Sequence, residues 1–145
     1  MASAPLSLAD DQMCIGCGSR NPHGLRLAFE LDRPHQRLTT AWTPAKYHQG
    51  YTDIVHGGML ALVLDELMGN LLWQLERPAV TAELTVRFRR PAKVGEPLVC
   101  QAQVESEERR SVWMTASATT SDGAVVADAR ARYVQVKSAS HKEGT

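Results

Sequence analysis

His56-Gly57-Gly58-Met59-Leu60-Ala61-Leu62-Val63-Leu64-Asp65-Glu66-Leu67-Met68-Gly69-Asn70-Leu71-Leu72-Trp73 is the stretch whose reading decides the fold. Its apolar residues fall nearly all round a helical wheel, so a helix from Gly57 to about Glu76 is predicted to be buried. Arg77-Pro78 ends it, because proline cannot continue a helix. The two glycines leave backbone N–H groups accessible, and a helix N-terminus of that kind favours a negative or polarised oxygen. Asp65-Glu66 interrupts the apolar run. A carboxylate there is costly unless it is paired or used. The stretch therefore points to a carbonyl oxygen held at one place and acid–base or nucleophilic work done at another.

Upstream, Leu25–Leu31 and Arg37–Trp42 have strand character around an Asp32-Arg33-Pro34-His35 turn. Cys14 to Gly24 and Pro44 to Val55 read as irregular stretches. Downstream the period changes to two. Ala82, Leu84, Val86 and Phe88 alternate with Thr81, Glu83, Thr85, Arg87 and Arg89, a half-buried strand. Leu98–Glu105, Ser111–Thr120 and Ala124 to about Val136 follow as strands, the last two joined by an Asp122-Gly123 hairpin turn. Two strands, one long helix and four strands on short connections imply an α+β domain, an antiparallel sheet wrapped around the helix. A helix apolar on nearly every side calls for a second protomer to complete its cover.

The 145 residues suit one domain with a single core. Residues 1–13 are expected to form an arm, 14–137 the domain and 138–145 a polar tail. Sixteen basic residues balance 16 acidic ones, so no global field draws the chain to nucleic acid or an anionic membrane. The apolar run from Met59 to Leu64 is too short to span a bilayer. Met1–Asp11 lacks the features of a signal peptide, and three cysteines do not make a disulfide framework. A soluble, cytoplasmic protein is expected. Cys14-x-x-Cys17 with His23 nearby invites a zinc reading, but only Cys100 or another histidine could complete the ligand set, so no metal is expected. The loop is instead expected to pack closely over the sheet or pocket, with Asn21 reaching toward the site.

The pattern resembles the hotdog-fold thioesterase superfamily, in particular its PaaI-like acyl-CoA thioesterase branch. His56-Gly57-Gly58 with Asp65 downstream, Thr81 to Phe88, Arg89-Arg90-Pro91 and Gly95-Glu96 carry the resemblance. Cys14-Ile15-Gly16-Cys17-Gly18 and Asn21-Pro22-His23-Gly24-Leu25 resemble one subgroup of the branch. The resemblance implies hydrolysis of an acyl-CoA thioester by homodimers or homotetramers, with no cofactor. It implies Asp65 as nucleophile or general base, Gly57 or Gly58 as donor to the thioester oxygen, and His56 shaping the site. Thr81 matches a hydroxyl that orients the water or the acid. Many relatives carry Asn where this chain has Gly50; here Gln49 precedes it and takes the substrate-side role.

Around these residues the rest of the site is outlined. Glu66, one residue round the helix, is assigned to structure or to the substrate lining. Arg89, Arg90 and Lys93 suit the phosphates of coenzyme A, since both cation types bind phosphate oxygens. Trp42, Tyr47, Tyr51 and Trp73 are candidates for the acyl pocket. The alternative for Asp65, less favoured than catalysis, is a buried structural acid paired with an arginine such as Arg87. Helical rise separates Gly57 from Asp65 by about 12 Å. An oxyanion donor must lie within ~3 Å of its oxygen, which is only ~1.2 Å from the reacting carbon. One helix cannot serve one thioester with both groups. Two antiparallel helices, one from each protomer, can.

Overall fold

A computed structural model describes residues 7–136. Residues 1–6 of the expected arm and the whole expected tail, 138–145, lie outside them. The chain runs β1 (Glu30–Asp32), β2 (Arg37–Trp42), a 3₁₀ turn (Lys46–His48), α1 (Gly57–Gln74), β3 (Ala79–Phe88), β4 (Leu98–Glu107), β5 (Ser111–Thr120) and β6 (Val125–Gln135). The six strands form one antiparallel sheet in the order β1-β2-β4-β5-β6-β3. α1 links β2 to the far edge and packs across one face of β2 to β6 on the way. This is the architecture the sequence predicts.

Leu60, Val63, Leu64, Leu67, Met68, Leu71 and Leu72 form a fully buried stripe on α1 at helical spacing. Opposite them stand small residues of the sheet, Ala102, Ala118, Ala127, Ala129 and Ala131, which let the helix lie close. Each large side chain buried here contributes about 1.5–3 kcal/mol. A single chain leaves part of α1 uncovered. Met59, Ala61, Leu62, Asp65, Glu66, Gly69 and Asn70 are only half-buried, because one sheet covers one stripe. Part of the remaining cover comes from this chain's own N-terminal loop, where Cys14 and Cys17 bond to Glu66 and Asn70.

The helix ends at Gln74, two residues short of the expected Glu76, and the chain turns toward Arg77-Pro78 through two bonds: Glu76 N–H to Trp73 O (3.0 Å) and Arg77 N–H to Leu72 O (2.8 Å). Glu76 takes the left-handed conformation this needs (φ 61°). The first strand is shorter than predicted. Leu25 and Leu27 give their N–H groups to Ile15 and Gly16 (both 2.9 Å), so this segment pairs with the loop instead of with β2.

β3 departs from strict alternation. Thr81 pairs with Tyr133 but Glu83 with Arg132, a bulge that leaves Ala82 without a partner. Leu84, Val86 and Phe88 share the inner face with Ala131, Ala129 and Ala127, and the bulge turns Thr81 onto that face too. The outer face carries charge. Arg132 bonds Glu83 (2.9 Å), Arg130 bonds Glu105 (2.9 Å) and lies over the Trp113 ring, and Arg89 bonds Asp128 (2.5 Å). At the Asp122-Gly123 hairpin, Gly123 adopts φ 88° and donates to Thr120 O at 2.9 Å. No helix among the described residues is long and apolar enough to cross a membrane.

Candidate active site

The tip of α1 is held by a histidine. His56 is the N-cap residue, anchored by its own N–H to His48 O at 2.9 Å. Its Nδ1 accepts the Gly58 N–H at 2.8 Å. An imidazole accepting at Nδ1 carries its proton on Nε2. The Gly58 donor, one of the two expected for a substrate oxygen, is therefore already engaged. Gly57 is the first helical residue, and its N–H has no acceptor among the described residues. A Cβ on Gly57 would come within 3.3 Å of the Phe88 ring.

Eight residues on, Asp65 is half-buried and gripped by two hydroxyls from the sheet. Thr81 Oγ1 donates to Asp65 Oδ1 at 2.8 Å, and the Tyr133 hydroxyl lies 2.5 Å from the same oxygen and 2.8 Å from the Asp65 backbone oxygen. Among the described residues no hydrogen bond reaches Oδ2. The bulge at Ala82 is what aims Thr81 inward. Gly69, one turn beyond Asp65 on the same helix face, leaves the Tyr133 ring room, with its Cβ position 3.4 Å from the ring. Burial, then the Asp65 charge, pushes the Tyr133 phenol well above its usual range, so it remains a proton donor. Tyr133 was not among the residues picked from sequence. A glycine four residues after the acid, facing an aromatic in the last strand, is the signal that was there to read.

The Arg87 alternative for Asp65 is overturned. Arg87 pairs with Asp128 in the β3–β6 register, on the outer face, because the strand period turns it away from the helix. Asp65, Thr81, Tyr133, Glu66 and Trp73 line a common cavity of about 460 Å³. His56, Gly57 and Gly58 do not line it. One chain brings the acid and the hydroxyls together and leaves the helix tip apart.

Glu66 turns to the N-terminal loop. The Cys14 thiol donates to Glu66 Oε2 at 3.3 Å, Gly16 N–H points to Cys14 Sγ at 3.3 Å, and Asn70 Nδ2 to Cys17 Sγ at 3.6 Å. Burial first, then Glu66 and Cys14, pushes the Cys17 thiol up. The loop was expected to pack closely, and it does so on α1. Asn21 does not reach the site: its side chain bonds Met13 O and His23 N within the loop.

Among the remaining candidates, Gln49 spends its side-chain oxygen on the Asp53 N–H (3.0 Å), fixing its own turn. Arg89 is engaged by Asp128. Arg90 stands near Asp122, whose carboxyl it helps to hold below the usual range after Thr120 and the Ala124 N–H. Lys93 is exposed on the turn after β3, where its backbone bridges to Ile54. Trp42 belongs to the core and stacks obliquely on His48, whereas Tyr47 and Tyr51 are exposed.

Acyl-coenzyme A thioesterase THEM4 of Xenopus laevis is 24% identical over 114 residues, 78% of this chain and 51% of that protein. The chain thus spans about half the length of that relative. A crystal structure of a thioesterase superfamily protein superposes with a TM-score of 0.80 at 25% identity, covering 85% of this chain and 60% of that one. The PaaI protein of the E. coli phenylacetic acid degradation operon has the same fold: TM-score 0.72, 19% identity, 79% of this chain and 82% of that one. The hotdog fold is thereby established. The thioesterase superfamily model matches residues 52–127, more than half of the chain, from just before the helix tip into β6. The chain belongs to the thioesterase superfamily.

Proposed function

We propose that this protein hydrolyses an acyl-CoA thioester to the free acid and coenzyme A, in a site shared between two chains. The observation that carries the reading is Asp65. Its carboxylate is fixed through Oδ1 by two hydroxyl groups, is met by no cation among the described residues, and borders a cavity. A carboxylate spent on structure is normally paired with a cation or saturated with donors. Here Oδ2 is left for chemistry.

β3 supports the two-chain arrangement. It is the edge strand, and its ten residues face no further strand among those described. Its inner face leaves Leu84 and Phe88 exposed by 37% and 55%. Long apolar edges of this kind invite pairing. β3 also touches both halves of the chemistry, Thr81 at Asp65 and the Phe88 ring at Gly57. Two copies paired antiparallel about Thr85, with the bulge at Ala82 counted as one position, bring Thr81 of one level with Phe88 of the other. Asp65 of one chain then faces Gly57 of the next, and two such dimers would make the tetramer.

In this site the thioester oxygen takes the Gly57 N–H, where the oxyanion develops, with His56 positioning the helix tip. Asp65 Oδ2 attacks the carbonyl carbon, or removes a proton from the water that does. In either route the C–S bond breaks and the thiolate leaves needing little protonation. The acid's new oxygen is Oδ2 in the first route, where water then opens the anhydride at the aspartyl carbon and restores the carboxylate. In the second it comes directly from water. Glu66 lines the acyl side of the cavity. Arg90 and Lys93 are assigned to the phosphates of coenzyme A, Arg89 being held by Asp128.

The experiment is release of free thiol from a panel of acyl-CoAs, on the parent chain and Asp65→Asn. Turnover by the parent and its loss in the variant are expected. Acyl-CoA binding without thiol release would make the protein a non-catalytic binder instead. Single-turnover hydrolysis in ¹⁸O-water then separates attack by Asp65, which labels the carboxylate, from attack by water.

A further inference from the structure

The Cys14-x-x-Cys17 turn is not absorbed by thioester hydrolysis, and its surroundings are specific. Cys14 Sγ, Cys17 Sγ and a Glu66 carboxylate oxygen lie within 4.8 Å of one another. All three side chains are half-buried. The third member comes from mid-helix, 52 residues away from Cys14. It is neither Cys100 nor a histidine, the only completions considered from sequence. The loop is built tightly around it. A Cβ on Gly16 would strike Glu66 Cγ at 2.5 Å, and one on Gly18 would strike the Cys14 nitrogen at 2.4 Å. Each sulfur also receives an N–H: Gly16 to Cys14 and Asn70 to Cys17. Donors of this type orient and stabilise sulfur ligands.

We infer that Cys14, Cys17 and Glu66 form a binding site for one divalent cation, zinc by ligand type, which ties the N-terminal loop to α1. Two thiolates and a carboxylate are a ligand set zinc accepts, and they disfavour magnesium or calcium. Two Zn–S bonds of about 2.3 Å at a tetrahedral angle separate the sulfurs by ~3.8 Å, inside the span the cluster already has. On binding, the two thiol protons pass to solvent and the metal takes their place. The three ligands leave one position of a tetrahedral site, and all three line the cavity that Asp65 borders. A water drawn from that cavity completes the coordination.

The test uses the full chain, reduced and prepared without chelator, titrated with Co²⁺ as a spectroscopic stand-in and then with Zn²⁺. One equivalent of Co²⁺ per chain should bind, with a thiolate-to-cobalt charge-transfer band that Zn²⁺ abolishes. Cys14→Ser with Cys17→Ser should remove the band, and Cys100→Ala should retain it. Absence of the band from the reduced parent overturns the inference, and so does a band that survives the double substitution. If the parent binds no cobalt yet forms a Cys14–Cys17 disulfide in air, the pair is a redox couple and the metal site is refuted. Should the double variant fail to fold, Glu66→Gln decides. It should weaken cobalt by at least the ~10–100-fold that losing even an outer-shell partner costs, and unchanged affinity would remove Glu66 from the site.

Discussion

The two functional halves of α1 are held in opposite ways. At the tip, His56 satisfies Gly58 and leaves the neighbouring Gly57 N–H open, and the histidine itself is exposed. In the middle, Asp65 is half-buried, and sheet hydroxyls satisfy one carboxylate oxygen and leave the other open. In each place hydrogen bonding fixes the geometry and one polar atom next to it stays free. The tip is built from residues adjacent in sequence. The Asp65 grip needs β3 and β6, with partners 16 and 68 residues away. Damage at the tip should therefore remain local, whereas damage at Asp65 should register in both chemistry and packing.

The largest effect tests whether the two halves meet across chains. Asp65→Asn should lower kcat by about 10²–10⁴-fold, since Asn still accepts the Thr81 and Tyr133 hydroxyls but cannot act as base or nucleophile. Gly57→Pro removes the open N–H and also sets a Cβ within 3.3 Å of the Phe88 ring, which must give by a few tenths of an ångström. Proline is tolerated at the first helical position, and His56 (φ −61°, ψ 131°) has the extended backbone a pre-proline residue favours. A loss of about 10²–10³-fold in kcat with the fold retained is expected, the cost of an oxyanion donor. Mixing the two inactive variants as unfolded chains and refolding them should restore about a quarter of parental turnover, because half the dimers are hybrids with one intact site each. No recovery, with hybrids present by mass spectrometry, would place both groups in one chain. A parent that is fully active as a 15.9 kDa monomer would do the same.

A smaller effect comes from the grip on Asp65. Tyr133→Phe should cost about tenfold in kcat, the rate equivalent of ~1.4 kcal/mol, with little change in KM. It should also cost ~0.5–1.5 kcal/mol in urea stability for the lost hydrogen bond. Thr81→Ala should show a similar kcat loss and less destabilisation, because Thr81 is exposed, and Thr81→Ser should recover both. The pH dependence carries a sign. Burial and the Asp65 charge raise the folded Tyr133 phenol above its unfolded value near 10. Its contribution to stability is thus complete below about pH 10 and lost as the pH climbs further. Urea midpoints at pH 8 and pH 10.5 should fall more for the parent than for Tyr133→Phe.

The same contrast explains what was legible in the sequence. The helix and the strands from Val80 onward follow from local period and breakers, and the structure has them within two residues of where they were expected. The tip was readable, His56 as a cap included, because His56, Gly57 and Gly58 are contiguous; the structure adds that the capped N–H is that of Gly58. Three features depend on partners far along the chain. The bulge at Ala82 breaks the alternation that seemed to put Thr81 outside, Tyr133 reaches Asp65 across the sheet, and Glu66 meets a loop 52 residues upstream. Periodicity assigns a face to a residue. It does not say which distant side chain shares that face. The shortened β1 has a similar cause, since the N–H groups of Leu25 and Leu27 are claimed by a loop rather than a strand.

The smallest expected effect separates the two parts His56 can play. His56→Ala removes the cap and should cost ~0.5–2 kcal/mol of stability. His56→Asn supplies another capping oxygen for the Gly58 N–H, so stability should return to within a few tenths of a kcal/mol of the parent. If the imidazole only holds the helix tip, His56→Asn keeps kcat within a few-fold of parental, far above Gly57→Pro. If His56→Asn instead loses as much turnover as Gly57→Pro while remaining stable, the Nε2–H is itself a donor to the substrate oxygen. The tip would then present two open donors to the single open oxygen of Asp65, and the symmetry between the two halves would not hold.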